Sequence, residues 1–256
     1  MGTISDKLTY IEGTKDAIKQ AIIAKGVSVS DSDTFRSYAS KINDIESGGG
    51  LTKLQNGTKF SYSTFKEAQM FDTSEMTDMS NMFSSCRSLT TVPMFDTANV
   101  TNMKSMFESC QSLTTLQLYN TINVTDMGNM FNTCSKLTTV PQFDTANVTN
   151  MRAMFTSCSS LTTLPLFNTV NVKNMYGMLS SCTSLTTLRG FTGLKLNLDL
   201  SSSSKLTVES VMNVITNAVD MTSSPRTLTL HANVYAKLNE EQIATATAKG
   251  WNIAEK

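Results

Sequence analysis

The sequence predicts an α/β solenoid, five 24-residue strand–helix coils behind a small helical N-terminal module. Three observations predict it. One phrase, written in residues 95–118 as FDTANVTNMKSMFESCQSLTTLQL, fills five consecutive blocks: 71–94, 95–118, 119–142, 143–166 and 167–190. Cys86, Cys110, Cys134, Cys158 and Cys182 fall on the same beat of each block without a slip. Within a block the apolar period changes from L-x-x-L-x-L to i, i+3, i+4, i+7. A fixed period in this range marks a unit that buries its apolar side only between copies of itself.

Along the chain, residues 1–46 read as two short helices with little core of their own. Leu8, Ile11, Ile18 and Ile22 line one face of the first, and Gly26 stops it. That face either joins copies of the chain, as in a trimer, or closes a small helical hairpin; Lys15 on the heptad seam weakens a coiled coil. SGGG at 47–50 is a flexible joint. Residues 51–70 carry Asn56-Gly57 between alternating runs, which predicts a hairpin capping the stack. In each repeat, Leu89, Val92 and Met94 or their equivalents are expected inward on a short strand, so that Gln142 and Gly190 mark lapses. Thr97, Thr121, Thr145 and Thr169 follow at a turn, where a hydroxyl satisfies departing backbone groups. Met103, Met106, Phe107 and Cys110 then share one face of a predicted short helix, with Thr101 as its N-cap. Residues 191–256 keep the rhythm without the strict period. They predict strands at LKLNLDL and TLTLH and helices over 207–219 and 239–249, the latter opened by Asn239 and Gln242 and closed by Gly250.

Bulk properties exclude several classes. Net charge is zero and charged residues make up 16%, so the basic surface that nucleic acid requires is missing. No apolar run approaches the ~20 residues of a membrane span. The N-terminal stretch lacks an apolar signal core, which predicts folding in a cytoplasm.

The repeat word NVT[ND]M-x-x-MF-x-x-C-x-x-LTT, after L-x-x-L-x-L and a Thr-capped turn, resembles the BspA-like leucine-rich repeats of bacterial surface proteins. The resemblance implies a right-handed solenoid used for binding and brings no catalytic residues or cofactor. The N-terminal stretch ISDKLTYIEGTKDAIKQAIIAKGVSVSDSDTFRSYASKI is similar to modules of bacteriophage virion proteins, especially tail and fibre proteins, and TLTLHANVYAKLNEEQIATATAKGW is similar to segments that accompany such repeats. A virion protein made in a host cytoplasm is therefore expected. Residues 1–46 would tether it to itself or to other virion proteins, and the solenoid would meet a host glycan or protein. A bacterial surface adhesin and a ligand-free decoration protein are the alternatives.

Phe71, Phe95, Tyr119, Phe143, Phe167 and Phe191 recur every 24 residues. Outward, they would form a platform for sugars or a protein; stacked on each other, they would be structure, and regularity favours the second. Gln117 and Arg189 sit among variable sheet-face positions that include Pro93, Pro141 and Pro165, beside a stripe of threonines. The cysteines read as small apolar fillers; their odd number argues against disulfides, and with His231 as the sole histidine no zinc motif exists. The Met columns read as core. Asn99, Asn123 and Asn147 in N-V-T are explained by the turn and the cap. No nucleophile elbow, phosphate loop or paired carboxylate motif is present, so no enzyme is expected.

Overall fold

The computed structural model describes residues 53–60, 66, 68, 71–93 and 95–256. The helical module, Leu8, Ile11, Ile18, Ile22 and the 47–50 joint lie outside the described residues. Lys53–Lys256 packs as one unit.

The repeats stack in the register that the sequence sets. Asp78, Asn102, Asp126, Asn150 and Asn174 bridge in parallel, each to its counterpart one coil on. Inside each coil, Met103, Met106, Phe107 and Cys110 and their equivalents form a continuous buried core. The predicted helix, however, is absent: no described residue between 71 and 207 is α-helical. The segment is a run of tight turns instead. Met106, Glu108 and Cys110 donate N–H groups three residues back, to Met103, Ser105 and Phe107. The alternate N–H groups of Met103, Ser105, Phe107 and Ser109 cross to Asp126, Gly128, Met130 and Asn132 of the next coil at 2.7–3.0 Å.

The physical reason is spacing. The rings of Phe83, Phe107, Phe131 and Phe155 stack with centroids 5.5–5.7 Å apart, near-parallel within 5–11°. Parallel strands sit ~4.8 Å apart, whereas packed helices need ~8–10 Å between axes. Coils this close have no room for side-by-side helices. The turns require left-handed backbone at fixed beats: Asn81, Ser105, Asn129 and Ala153 in one column and Ser85, Ser109, Thr133, Ser157 and Ser181 in the next all have positive φ. Small and amide-bearing residues occupy these positions because they tolerate that region best.

A second correction concerns the strand. The inward residues are spaced by three, not by two: Leu161, Leu164 and Phe167 are buried, as are Leu185, Leu188 and Phe191. The position after the prolines faces outward, where Leu118 is 56% exposed and Gln142 is also exposed. Gln142 is therefore no lapse. Pro93, Pro141 and Pro165 fix φ and lack an N–H, which breaks the alternation of a continuous strand. Regular pairing consequently appears late and short. β1 (Thr163–Leu164) pairs in parallel with β3 (Thr187–Leu188), and β2 (Phe167–Asn168) with β4 (Phe191–Thr192).

At the first coil, Asn56-Gly57 makes the expected tight turn, with Gly57 at φ 85° and Thr58 donating to Gln55. It does not lead into a hairpin among the described residues. Lys53 bridges in parallel to Asp72, and Phe60 stacks on Phe71 and Phe83, so this segment is a first, irregular coil.

Residues 194–256 do contain regular elements: the two expected strands and two expected helices, together with a third strand and a single-turn helix that the sequence reading did not include. β5 (Leu198–Leu200), β6 (Arg226–Leu230) and β7 (Trp251–Glu255) form one parallel sheet in that order. α1 (Val208–Asn217) is capped by the Thr207 hydroxyl; α2 (Ala232–Tyr235) is a single turn; α3 (Glu240–Ala248) opens on an Asn239–Gln242 capping box. Gly250 is needed after α3: at φ 75° a Cβ there would lie 2.2 Å from the Met221 backbone. Lys249 donates to the carbonyls of Ile215 and Thr216 at the end of α1, tying the two helices together.

Candidate functional site

The frame of the repeat is built from backbone-directed side chains. Thr73, Thr97, Thr121, Thr145 and Thr169 are buried, and each hydroxyl donates to a carbonyl of the following coil at 2.8–3.0 Å. Cys110, Cys134, Cys158 and Cys182 donate S–H to the Phe carbonyl of the preceding coil at 3.0–3.1 Å. All five cysteines are buried, and Cys110, Cys134, Cys158 and Cys182 are free thiols. Burial pushes the described thiol pKa values upward, that of Cys182 to about 12, so the thiolate is suppressed and nucleophilic use disfavoured.

The aromatic column belongs to this frame. Phe95, Tyr119, Phe143, Phe167 and Phe191 are buried and Phe71 is half-buried. Their rings lie against the second column, as in Phe131–Phe143 at 6.1 Å and Phe155–Phe167 at 6.1 Å. The six rings thus form no exposed platform, because the three-residue spacing turns them inward. Gln117 and Arg189 are exposed beside them.

What does face out is set by a turn. Asp72, Asp96, Asn120, Asp144 and Asn168 each accept, through Oδ1, the N–H two residues on at 3.0–3.2 Å. The residue at that N–H projects outward: Ala98, Ile122, Ala146 and Val170. Asn99, Asn123, Asn147 and Asn171 then lock the turn, donating Nδ2 to a carbonyl of the preceding coil at 2.7–2.8 Å. In the last coil Lys195 takes over that role, donating to Val170. The N-V-T asparagines are explained by this ladder. Two outward columns result, one through Leu118, Gln142 and Leu166 and one through Ile122 and Val170. Ile122 is 50% and Val170 47% exposed. Sequence reading missed Leu118, Ile122 and Val170. The available signal was that the block LYNTIN departs from MFDTAN at both outward positions while keeping the frame.

Between these columns lies an open cleft of about 420 Å³, lined by Gln142, Asp144, Leu166, Asn168 and Thr192 over Phe143 and Thr145. No group of metal-ligating side chains occurs among the described residues, and no helix there is long and apolar enough to cross a membrane.

The family model described as "Mycoplasma protein of unknown function, DUF285" matches residues 52–140 and 113–224, over half of the chain. The chain belongs to that family. No curated protein matches it. Among solved structures, the leucine-rich repeat protein of T. pallidum, TpLRR, is similar with a TM-score of 0.50 and 15% identity, over 81% of this chain and 95% of that one. Family and structural likeness agree on a leucine-rich-repeat, BspA-like protein. For this DUF285 chain the fold is thus a repeat solenoid, although its middle coils are built from turns.

Proposed function

We propose that this protein is a non-enzymatic recognition module, with the solenoid displaying the outward columns to a host surface ligand or another virion protein, and residues 1–46 tethering it within a phage fibre or tail. One observation carries the recognition reading. The sequence holds the buried positions of each coil nearly constant and lets the outward ones change, among them residues 117, 118, 122, 142, 170 and 189 on this face and residues 80, 104, 152 and 176 elsewhere on the coils. Apolar side chains at three of them, Leu118, Ile122 and Val170, stand half in solvent without a packing role that would require them. The virion placement rests on the likeness of the N-terminal stretch to phage modules. A bacterial surface location is the second reading, and it rests on the likeness of the repeat to those of bacterial surface proteins.

The test is capture of the fluorescently labelled full chain by intact bacterial cells, against the Leu118→Ser, Ile122→Ser, Val170→Ser triple variant. Recognition by this face predicts at least a tenfold loss of capture with an unchanged melting temperature. Equal capture by both would contradict it. Separately, comparison of the native mass of the full chain with that of a chain lacking residues 1–46 tests the tether; two monomeric masses would contradict oligomerisation.

A further inference from the structure

We infer that the cleft between the coils at residues 142–145 and 166–168 is a binding site for a neutral, polyhydroxylated ligand of the size of one or two sugar rings. The inference deepens the recognition reading above and rests on it.

The cleft lies where the ladder is interrupted. Coil-to-coil bridging between these two coils reaches Thr139–Thr163 and stops. Pro141 and Pro165 have no N–H to give. Beyond them the Gln142 amide stands in for the missing rung, donating Nε2 to Leu166 O at 2.6 Å and Phe143 O at 3.2 Å. One coil further on, β1–β3 and β2–β4 pair in parallel, and Asn168 and Thr192 of the second pair form the far wall of the cleft. Its volume lies within the about 300–1,000 Å³ of small-molecule sites.

Four polar atoms on its rim have no protein partner among the described residues. Asp144 uses Oδ1 on Ala146 and leaves Oδ2 open; Asn168 uses Oδ1 on Val170 and leaves Nδ2 open. Gln142 uses Nε2 and leaves Oε1 open, and the Thr192 hydroxyl makes no bond. The open set is two acceptors, one two-proton donor and one group of either kind. Vicinal hydroxyls, each donating and accepting, match that mixture. Asp144 is the one charged side chain of the lining and is negative, so carboxylated or phosphorylated ligands are repelled. Leu166 supplies apolar surface for the C–H face of a ring. The buried aromatic rings offer no stacking plane, which makes the polar rim the determinant of binding.

Asp144→Asn isolates the claim. Asn already holds the same Asx turn at Asn120 and Asn168, so the turn is kept while the open acceptor becomes a donor. Ligand-detected saturation-transfer NMR on the full chain would use methyl glycosides of glucose, galactose, mannose and N-acetylglucosamine, with methyl glucuronide as the charged counterpart. The expected result is binding of at least one neutral glycoside and weaker binding of the glucuronide. Asp144→Asn is expected to weaken the neutral glycoside about tenfold, the scale of a lost charge-assisted hydrogen bond, and Thr192→Val to weaken it less, both at unchanged melting temperature. Binding by none of the neutral glycosides, or equal binding by wild type and Asp144→Asn, overturns the inference. If cells still capture the chain in that case, the recognition reading stands on the Leu118–Ile122 columns; if capture fails as well, both fall.

Discussion

The coils of residues 71–162 and the cap of residues 194–256 use the same kind of apolar period and build different backbones. Met103, Met106, Phe107 and Cys110 in a coil, and Val208, Val211, Val214 and Ile215 in the cap, are both spaced by threes and fours. The first set lies on stacked turns and the second on a ten-residue helix. The difference lies in the polar residues between them and in the neighbours' distance. In the coils, Asn, Ser and Asp recur at the beats where positive φ or an Asx turn is needed, and every second N–H is taken by a coil 5–6 Å away. In the cap, Ala, Glu and Gln fill α3, and capping residues open α1 and α3. Apolar spacing therefore reports which side chains go inside; the polar fillers and the packing distance decide the path between them.

The largest expected contrast is in alkali. Burial raises the thiol pKa values of Cys110, Cys134, Cys158 and Cys182, and the cap has no cysteine. A raised folded-state pKa means the folded chain holds the proton more tightly, so the stability it contributes is complete below the free thiol's ~8.5 and is lost as pH rises toward about 12. Each thiol then costs about 1.4 kcal/mol per pH unit in that window. Hydrogen exchange monitored between neutral pH and pH 10 should show the coils opening before α1 and α3; simultaneous opening would erase the contrast.

Next comes the ring column. Phe107→Ala empties a fully buried place between Phe83, Tyr119 and Phe131 and should cost about 3–5 kcal/mol. In a stack coupled through nearest neighbours, the loss should spread to the adjoining coils and leave exchange in α3 nearly unchanged. Thr121→Val leaves the Asp144 carbonyl without its hydroxyl donor and should cost about 1–3 kcal/mol by denaturant melting, several times more than Thr101→Val on the exposed Thr column.

The smallest effect has opposite signs in the two regions. Ser109→Gly relieves a left-handed residue at φ 60° and should stabilise by up to about 1 kcal/mol. Met212→Gly inside α1 should destabilise by a similar ~0.7–1 kcal/mol. Destabilisation by both would mean that the coil segment behaves as a helix.

Much of this was legible in the sequence for identifiable reasons. The 24-residue period fixed the register of the Cys, Phe and Thr columns, because identical coils can align only on themselves. The cap's elements were legible because Thr207, Asn239, Gln242 and Gly250 are local end signals that tertiary context did not override. The coil helix was misread because i, i+3, i+4, i+7 is also what a chain of turns produces. The face of Leu118 and Gln142 was misread because Pro141 and its equivalents change a two-residue alternation to three; the same change puts the aromatic column in the core, the stacked arrangement that its regularity favoured. The cleft was invisible because it depends on which rung is missing between two coils 24 residues apart.

The central claim is that backbone bonds in the coils run between coils and not along a helix. It is tested most directly by trans-hydrogen-bond scalar coupling from the Phe107 amide nitrogen in the isotope-labelled protein. The account predicts coupling to the carbonyl carbon of Met130, one coil onward. Coupling to Met103, four residues back, would contradict it.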